Sequence, residues 1–191
     1  MKNLFLLTQI TLICTSSALA ASSMFGSTDA GSCYQATLIP FSNQNVFHCN
    51  NAISNGDLSK RDLAATYSNR GIIHLRNGHV DNALRDQDRA VRILPDQPQF
   101  HVNRGNALYY AHEYEAALKE YNIVIESNSD GLTNTTYNIS LYNKALTQLK
   151  LQRFTDARST LELALESDPD SRKIKDKLAD IASFGELPDG R

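Results

Sequence analysis

A repeat of 34 residues constrains this chain more than any other feature of its sequence. The Asn-Arg-Gly triplet at 69–71 returns at 103–105, and Ala83 returns as Ala117, in each case 34 residues later. A fixed period of this size indicates repeated helical pairs, each too small to bury its own apolar face unless its neighbours stack on it. The sequence therefore predicts an all-α chain of stacked helical hairpins.

Capping, turn and helix-ending residues divide the first unit, residues 64–97, into two helices. Ser59 and Asp62 form a capping-box pattern for a helix that ends near Arg76. Gly78 follows as a turn residue, and Pro95 ends the second helix because proline cannot continue one. The spacing thus predicts one helix on each side of a turn near residue 78.

Two further units and a terminal helix follow the first. The second unit spans 98–131, and the third spans 138–171, forty residues later, which predicts an inserted loop at 132–137. A helix at 172–184 has one apolar stripe and is otherwise charged, as expected of the capping helix of a stacked array. Residues 185–191 are expected to form a tail.

The first twenty residues are typical of a secretory signal peptide. Lys2 precedes a mostly apolar run at 4–14, and a small-x-small cleavage site ends at Ala20. The run is shorter than the ~20 residues that a membrane anchor needs. A lipoprotein signal built on Cys14 is disfavoured by the large Ile13 before it. We expect cleavage after Ala20, a periplasmic address and no membrane span in the mature chain.

Two cysteines, Cys33 and Cys49, remain after the signal peptide. An even number in an oxidising compartment favours a disulfide, which would stabilise the fold by roughly 3 kcal/mol for a loop of about 15 residues. Two free buried thiols are the alternative. We expect a flexible leader at 21–32, then a degenerate leading half-repeat and linker at 33–63.

Charge and motif patterns favour no chemistry of their own. The net charge is −2 without any run of Lys and Arg, so nothing favours nucleic acid or an anionic membrane as a partner. The five histidines lack metal-ligand spacing, and no segment resembles a nucleophile elbow. The sequence predicts no enzyme activity, no cofactor and no metal.

The three units resemble the tetratricopeptide repeat. That pattern has a small residue at position 8, aromatics near 17 and 24, alanine at 20, a small residue at 27 and proline at 32. His74 and Gln87 depart from it, since they are polar where it prefers aromatics. The matching residues are Gly71, Ala83, Ala90 and Pro95, then Gly105, Tyr114, Ala117 and Tyr121, then Ala145, Phe154, Ala157, Ala164 and Pro169.

The resemblance implies a short right-handed superhelix, an α-solenoid, whose first helices line a concave groove. Position 6 of the groove holds asparagine in all three units, and an amide ladder can pair with an extended peptide backbone. Aromatic residues are frequent anchors at interfaces. The predicted partner-binding residues are Asn69, Asn103, Asn106, Tyr109, Tyr110, Tyr142 and Asn143. The alternatives are asparagines that support the helices and a Tyr109-Tyr110 pair that packs between repeats.

Some relatives clamp a C-terminal carboxylate with such an asparagine and basic residues at positions 2 and 6 of the following unit. Here those positions hold Gln99 and Asn103, or Ile139 and Asn143, so this specificity is not expected. The resemblance implies a non-catalytic module that binds a peptide or protein partner in its groove. A structural subunit that assembles through its convex face or capping helix is the alternative.

Overall fold

The structure is a computed structural model that describes residues 28–38, 46–127 and 134–185. The predicted signal peptide with its cleavage site, and the tail beyond 185, lie outside the described residues. The described ranges hold helices and no strand. The helices are α1 (Thr28–Leu38), α2 (Val46–Asn55), α3 (Lys60–Arg76), α4 (Val80–Ile93), α5 (Pro98–Tyr110), α6 (Tyr114–Glu126), α7 (Asn134–Lys150), α8 (Phe154–Ser167) and α9 (Arg172–Gly185).

The helices stack as consecutive hairpins. The pairs α3–α4, α5–α6 and α7–α8 each pack together, and the second helix of each pair also packs on the first helix of the next. First helices of neighbouring pairs touch as well, from α1 through α3 and α5 to α7. The predicted all-α solenoid of stacked hairpins is confirmed.

The N-terminal region is more ordered than the sequence suggested. Helix α1 begins at Thr28, so the last five residues of the predicted flexible leader, 28–32, are helical. It pairs with α2, so the leading unit is a full hairpin instead of a half-repeat. Tertiary contact overrides the poor helical composition of this segment, because the buried Cys33 and Ala36 pack against Ile73 of α3.

Cys33 and Cys49 join α1 to α2 through a disulfide. Their Cα atoms lie 4.8 Å apart, and both side chains are fully buried. The predicted bridge is thus present in the structure, and it fastens the hairpin whose first helix the sequence did not predict.

The first helix of the third unit begins earlier than predicted. Helix α7 begins at Asn134, so residues 134–137 of the expected loop are its first turn. Thr136 is buried, and its hydroxyl accepts a hydrogen bond from Gln99 Nε2 at 3.0 Å. This contact with α5 of the preceding unit fixes the turn as helix.

Local signals place the helix boundaries elsewhere in the chain. Ser59 caps α3 by accepting a hydrogen bond from the Asp62 N–H at 3.1 Å. Gly78 has a φ of 77° at the α3–α4 turn, a left-handed conformation that glycine adopts without strain. The equivalent turns in the next two units use His112 and Gln152 at φ of 62° and 59°.

Candidate functional site

Most of the predicted groove asparagines lie between helices instead of facing solvent. Asn69, Asn106 and Asn143 are buried, and Asn103 is half-buried. Asn103 Nδ2 donates to Ser68 Oγ at 2.9 Å, and Asn143 Nδ2 donates to Asn106 Oδ1 at 2.8 Å. The amides at position 6 of the second and third units therefore each bond back to the preceding unit.

The acceptors of these bonds are themselves held by the second helix of their own unit. The Tyr121 hydroxyl donates to Asn106 Oδ1 at 2.8 Å. In the first unit, Ser68 Oγ donates to Gln87 Oε1 at 3.0 Å, and Gln87 Nε2 donates to the Ser68 carbonyl at 3.0 Å. The side chain at position 24 thus positions the group that accepts the hydrogen bond from the asparagine of the next unit.

Tyr109 and Tyr110 have different surroundings. Tyr109 is buried with Leu108 and Tyr121, and its ring lies edge-on to Tyr114 at 5.5 Å. Its buried hydroxyl has no hydrogen-bond partner among the described residues, and burial raises its pKa. Tyr110 keeps 39% of its surface exposed. Tyr109 therefore belongs to the core between α5 and α6, whereas Tyr110 remains accessible.

An open cavity of about 430 Å³ lies between α7 and α9, and two of the predicted residues, Tyr142 and Asn143, contribute to its wall. Its lining combines apolar side chains, amides, hydroxyls and charges of both signs. The lining residues are Thr135, Asn138, Ile139, Tyr142, Asn143, Ser167, Asp168, Ser171, Lys173 and Ile174.

Lys173 is the cation of this cavity. Its Nζ lies 3.8 Å from the centre of the Tyr142 ring, a cation–π contact. Burial, together with the nearby charge of Lys177, lowers its pKa to about 8. No ion pair joins it to a carboxylate within the described ranges. Burial also raises the pKa of Tyr142 to about 12, so the ring stays neutral at physiological pH.

Sequence reasoning overlooked Lys173, although the repeat period could have found it. Lys173 and Lys177 follow Ile139 and Asn143 by 34 residues, so they occupy positions 2 and 6 of a unit that begins at α9. The expected absence of the basic pair is therefore wrong after the third unit, where α9 supplies lysine at both positions. Lys177 is paired with Asp180 at 2.8 Å, which leaves Lys173 as the cation that lines the cavity.

The cavity has the chemistry of a recognition site. Lys173 can pair with a carboxylate, and exposed Asp168, which also lines the cavity, can accept N–H groups. Tyr142, Ile139 and Ile174 offer apolar contact. No group of three or more His, Cys, Asp or Glu side chains suited to a metal ion occurs in the residues that the structure describes. Over the same residues, no helix is both long and apolar enough to cross a membrane.

Comparison with known proteins identifies the repeat. Residues 102–172, most of the second and third units, match a family model described as tetratricopeptide repeat, which confirms the predicted resemblance. No curated protein matches the sequence significantly.

Solved structures share the fold at low sequence identity. The first TPR of Spaghetti (RPAP3), bound to the HSP90 peptide SRMEEVD, is 18% identical with a TM-score of 0.58, over 65% of this chain and 94% of that chain. The Sgt2 TPR domain from Aspergillus fumigatus is 16% identical with a TM-score of 0.57, over 65% and 80%. A structure of MamA from AMB-1 is 16% identical with a TM-score of 0.60, over 82% and 78%.

Proposed function

We propose that this tetratricopeptide repeat protein is a non-catalytic interaction module that holds a peptide segment of a partner protein against its first helices, with its main anchor in the α7–α9 cavity. The observation that carries the proposal is the cavity itself. It is lined by Tyr142 and Asn143 at groove positions of the third unit and by the cation Lys173.

Lys173 favours a ligand with a carboxylate, either a C-terminus or an acidic side chain. A partly buried ammonium without a counter-ion is disfavoured, which is why the pKa of Lys173 falls to about 8. An incoming carboxylate stabilises the charged form further and gains a charge-assisted hydrogen bond. The nearby Asn143 amide lies on the same wall and can orient the ligand backbone.

The other predicted residues divide into two groups. Asn103 and Tyr110 keep exposed surface and extend the proposed contact toward the second unit. Asn69, Asn106 and Tyr109 are buried, and we assign them a supporting role in the walls of the groove. The contact area is small, so a single peptide is expected to bind with a Kd on the order of micromolar, about −8 kcal/mol.

The RPAP3 structure supports the ligand class. Its TPR holds a peptide, SRMEEVD, that is rich in carboxylates. We further propose that the signal peptide is cleaved after Ala20 and that the mature protein binds its partner in the periplasm. The buried Cys33–Cys49 disulfide supports this address, since such bridges persist in oxidising compartments.

Binding to an array of heptapeptides tests the proposal. Each peptide is presented with a free C-terminal carboxylate and again as the C-terminal amide. We expect the protein to retain peptides with free or acidic carboxylates. Lys173→Ala should weaken that retention at least about tenfold, corresponding to about 1.4 kcal/mol.

Lys175→Ala is the matched control, because Lys175 lies on the same helix but is exposed and outside the cavity. It should bind like the unaltered protein. Equal retention by Lys173→Ala and Lys175→Ala would contradict the proposal. So would equal retention of the free and amidated forms of peptides that lack acidic side chains.

One observation favours the alternative of a structural subunit. Helices α6 and α8 each expose a large apolar side chain, Ile123 at 44% and Leu163 at 41%. These residues lie forty positions apart, so they occupy the same place in the second and third units. If Ile123→Ser/Leu163→Ser abolishes co-purification of a complex while peptide binding is unchanged, assembly through these helices is the better description.

A further inference from the structure

His101 sits at the junction of the first two units, away from the α7–α9 cavity, with a hydrogen-bond acceptor at each ring nitrogen. Its Nδ1 lies 2.8 Å from Glu120 Oε2 of α6, and its Nε2 lies 2.6 Å from the carbonyl oxygen of Pro95, in the α4–α5 loop. Only 8% of the residue is exposed. The ring thus bridges the loop that links the two units and the second helix of the second unit.

Two acceptors require two donors. A neutral imidazole carries one N–H, so it can satisfy either Glu120 or Pro95 but not both, whereas the imidazolium satisfies both. The hydrogen bond to Glu120 outweighs burial and raises the pKa of His101 above 6.5. The geometry therefore favours the charged ring over the neutral one.

The charges around His101 balance when its ring is protonated. Arg104 of α5 pairs with Glu120 and, through Nε at 2.7 Å, with Asp88 of α4. The group thus alternates Asp88, Arg104, Glu120 and His101 as minus, plus, minus, plus. Helices α3 and α7 also touch α5, and no hydrogen bond or ion pair joins either one to His101 in the described ranges. Loss of the ring proton leaves one unbalanced negative charge and one ring lone pair facing an oxygen.

We propose that His101, Glu120 and the Pro95 carbonyl form a pH-sensitive latch that fastens the first unit to the second in acid and loosens in alkali. This proposal is independent of the ligand site. Since the pKa of His101 is raised, the latch contributes fully below about pH 6.5 and is lost as pH rises through the folded-state pKa. Glu120 sets the acidic limit. Despite burial, His101 and Arg104 lower its pKa, so its contribution is lost only as pH falls below about 4.5.

Thermal unfolding between pH 5.5 and 8.5 tests the latch. The unaltered full chain should lose about 2–4 °C more in Tm over this range than His101→Gln does, which corresponds to about 1 kcal/mol. His112→Gln is the matched control, because His112 is exposed in the same unit and Gln152 holds its equivalent place in the next. This control should retain the full pH dependence.

Proton NMR of the unaltered protein provides a second measurement that does not depend on the folding of a variant. The His101 ring should titrate above 6.5. Exchange of the Phe100 amide, which bonds to the Gln97 carbonyl at 3.0 Å, should accelerate in the same pH range beyond its intrinsic pH dependence. Parallel Tm curves for the unaltered protein and His101→Gln, or a His101 midpoint at or below 6.5, would overturn the proposal.

Discussion

In the first and second units, side chains of different chemistry cover the glycine at position 8. A Cβ on Gly71 would lie 2.6 Å from Gln87 Nε2, and a Cβ on Gly105 would lie 2.6 Å from Tyr121 Cε1. Gln87 hydrogen-bonds Ser68 twice, and Tyr121 hydrogen-bonds Asn106 once. In both units, the side chain at position 24 covers the glycine. It also holds a polar group that accepts a hydrogen bond from an asparagine amide of the next unit.

The difference shows that Gln87, which departs from the aromatic preference of the pattern, is not a defect. Gln87 and Tyr121 are both about 1% exposed. A buried amide is tolerated when its polar atoms are paired, and Ser68 supplies both partners. In the first unit, hydrogen bonds therefore hold the side chain at position 24, whereas in the second unit burial of the ring holds it. The two positions should respond differently to substitution.

The largest difference is expected on truncation at position 24. Tyr121→Ala should lower the free energy of unfolding by about 3–5 kcal/mol, because a buried ring leaves a cavity. Gln87→Ala should cost less, about 1–3 kcal/mol, mainly from unpaired groups on Ser68. Urea denaturation measures both. Tyr121→Phe, which removes only the hydroxyl bonded to Asn106, should cost about 1 kcal/mol. Equal losses in the free energy of unfolding for Tyr121→Ala and Gln87→Ala would contradict this difference between the two units.

Adding a methyl group at position 8 should give an intermediate effect. Gly105→Ala meets rigid ring atoms at 2.6, 2.9 and 3.0 Å and should cost about 1–3 kcal/mol. Gly71→Ala meets the amide end of Gln87 at 2.6 Å and the Ala83 carbonyl oxygen at 3.3 Å. The amide can shift at the expense of its bonds to Ser68, whereas a buried ring cannot, so the net cost should be smaller. Both variants gain about 1 kcal/mol of helix propensity.

The third unit supplies the control for this experiment, since it carries Ala145 and Leu161 at positions 8 and 24, both fully buried. Gly105→Ala/Tyr121→Leu copies that pair into the second unit. Its loss in urea stability should be smaller than the sum of the two single losses. Additive losses would mean that the methyl group and the ring do not compete for the same space.

The smallest effect is expected at the turns. Gly78 adopts φ of 77° freely, whereas His112 is held at 62°, where a side chain costs about 1–2 kcal/mol. Glycine loses more entropy on folding, so His112→Gly should stabilise the protein by a net amount of about 0.5 kcal/mol. Gly78→Ala should destabilise it by about 1 kcal/mol. Calorimetric Tm values measure both. A lower Tm for His112→Gly would show that the lost contact between His112 Nδ1 and the Tyr114 hydroxyl, 2.8 Å apart, outweighs the strain.

The helices from α2 to α9 were predictable because their signals are local. The Ser59 cap and the turn at Gly78 act within a few residues of where they stand in the chain, and the 34-residue period repeats such local signals. Helix α1 was not predictable, since its composition favours a loop and its stability comes from the disulfide to α2 and contact with Ile73 of α3. Residues 134–137 were missed for the same reason, because their helix depends on the contact between Thr136 and Gln99.

The structure places two of the predicted partner-binding residues, Tyr142 and Asn143, in the wall of the cavity. That they bind a partner stays a prediction. Two of the three asparagines at position 6, Asn103 and Asn143, donate to Ser68 and Asn106 of the preceding unit. A repeated residue type shows that a position is constrained, and it does not show whether the partner is a ligand or the neighbouring unit.

The sequence by itself determined the repeat, the helical hairpins and the places where they turn, because period, propensity and capping are encoded along the chain. Only the tertiary structure decided which polar side chains face each other, which face solvent and where a cavity remains. Lys173 over Tyr142, and His101 between Glu120 and Pro95, depend on the packing of separate helices and loops. Burial, charge pairing and pKa are properties of that packing, so no single segment of the sequence contains them.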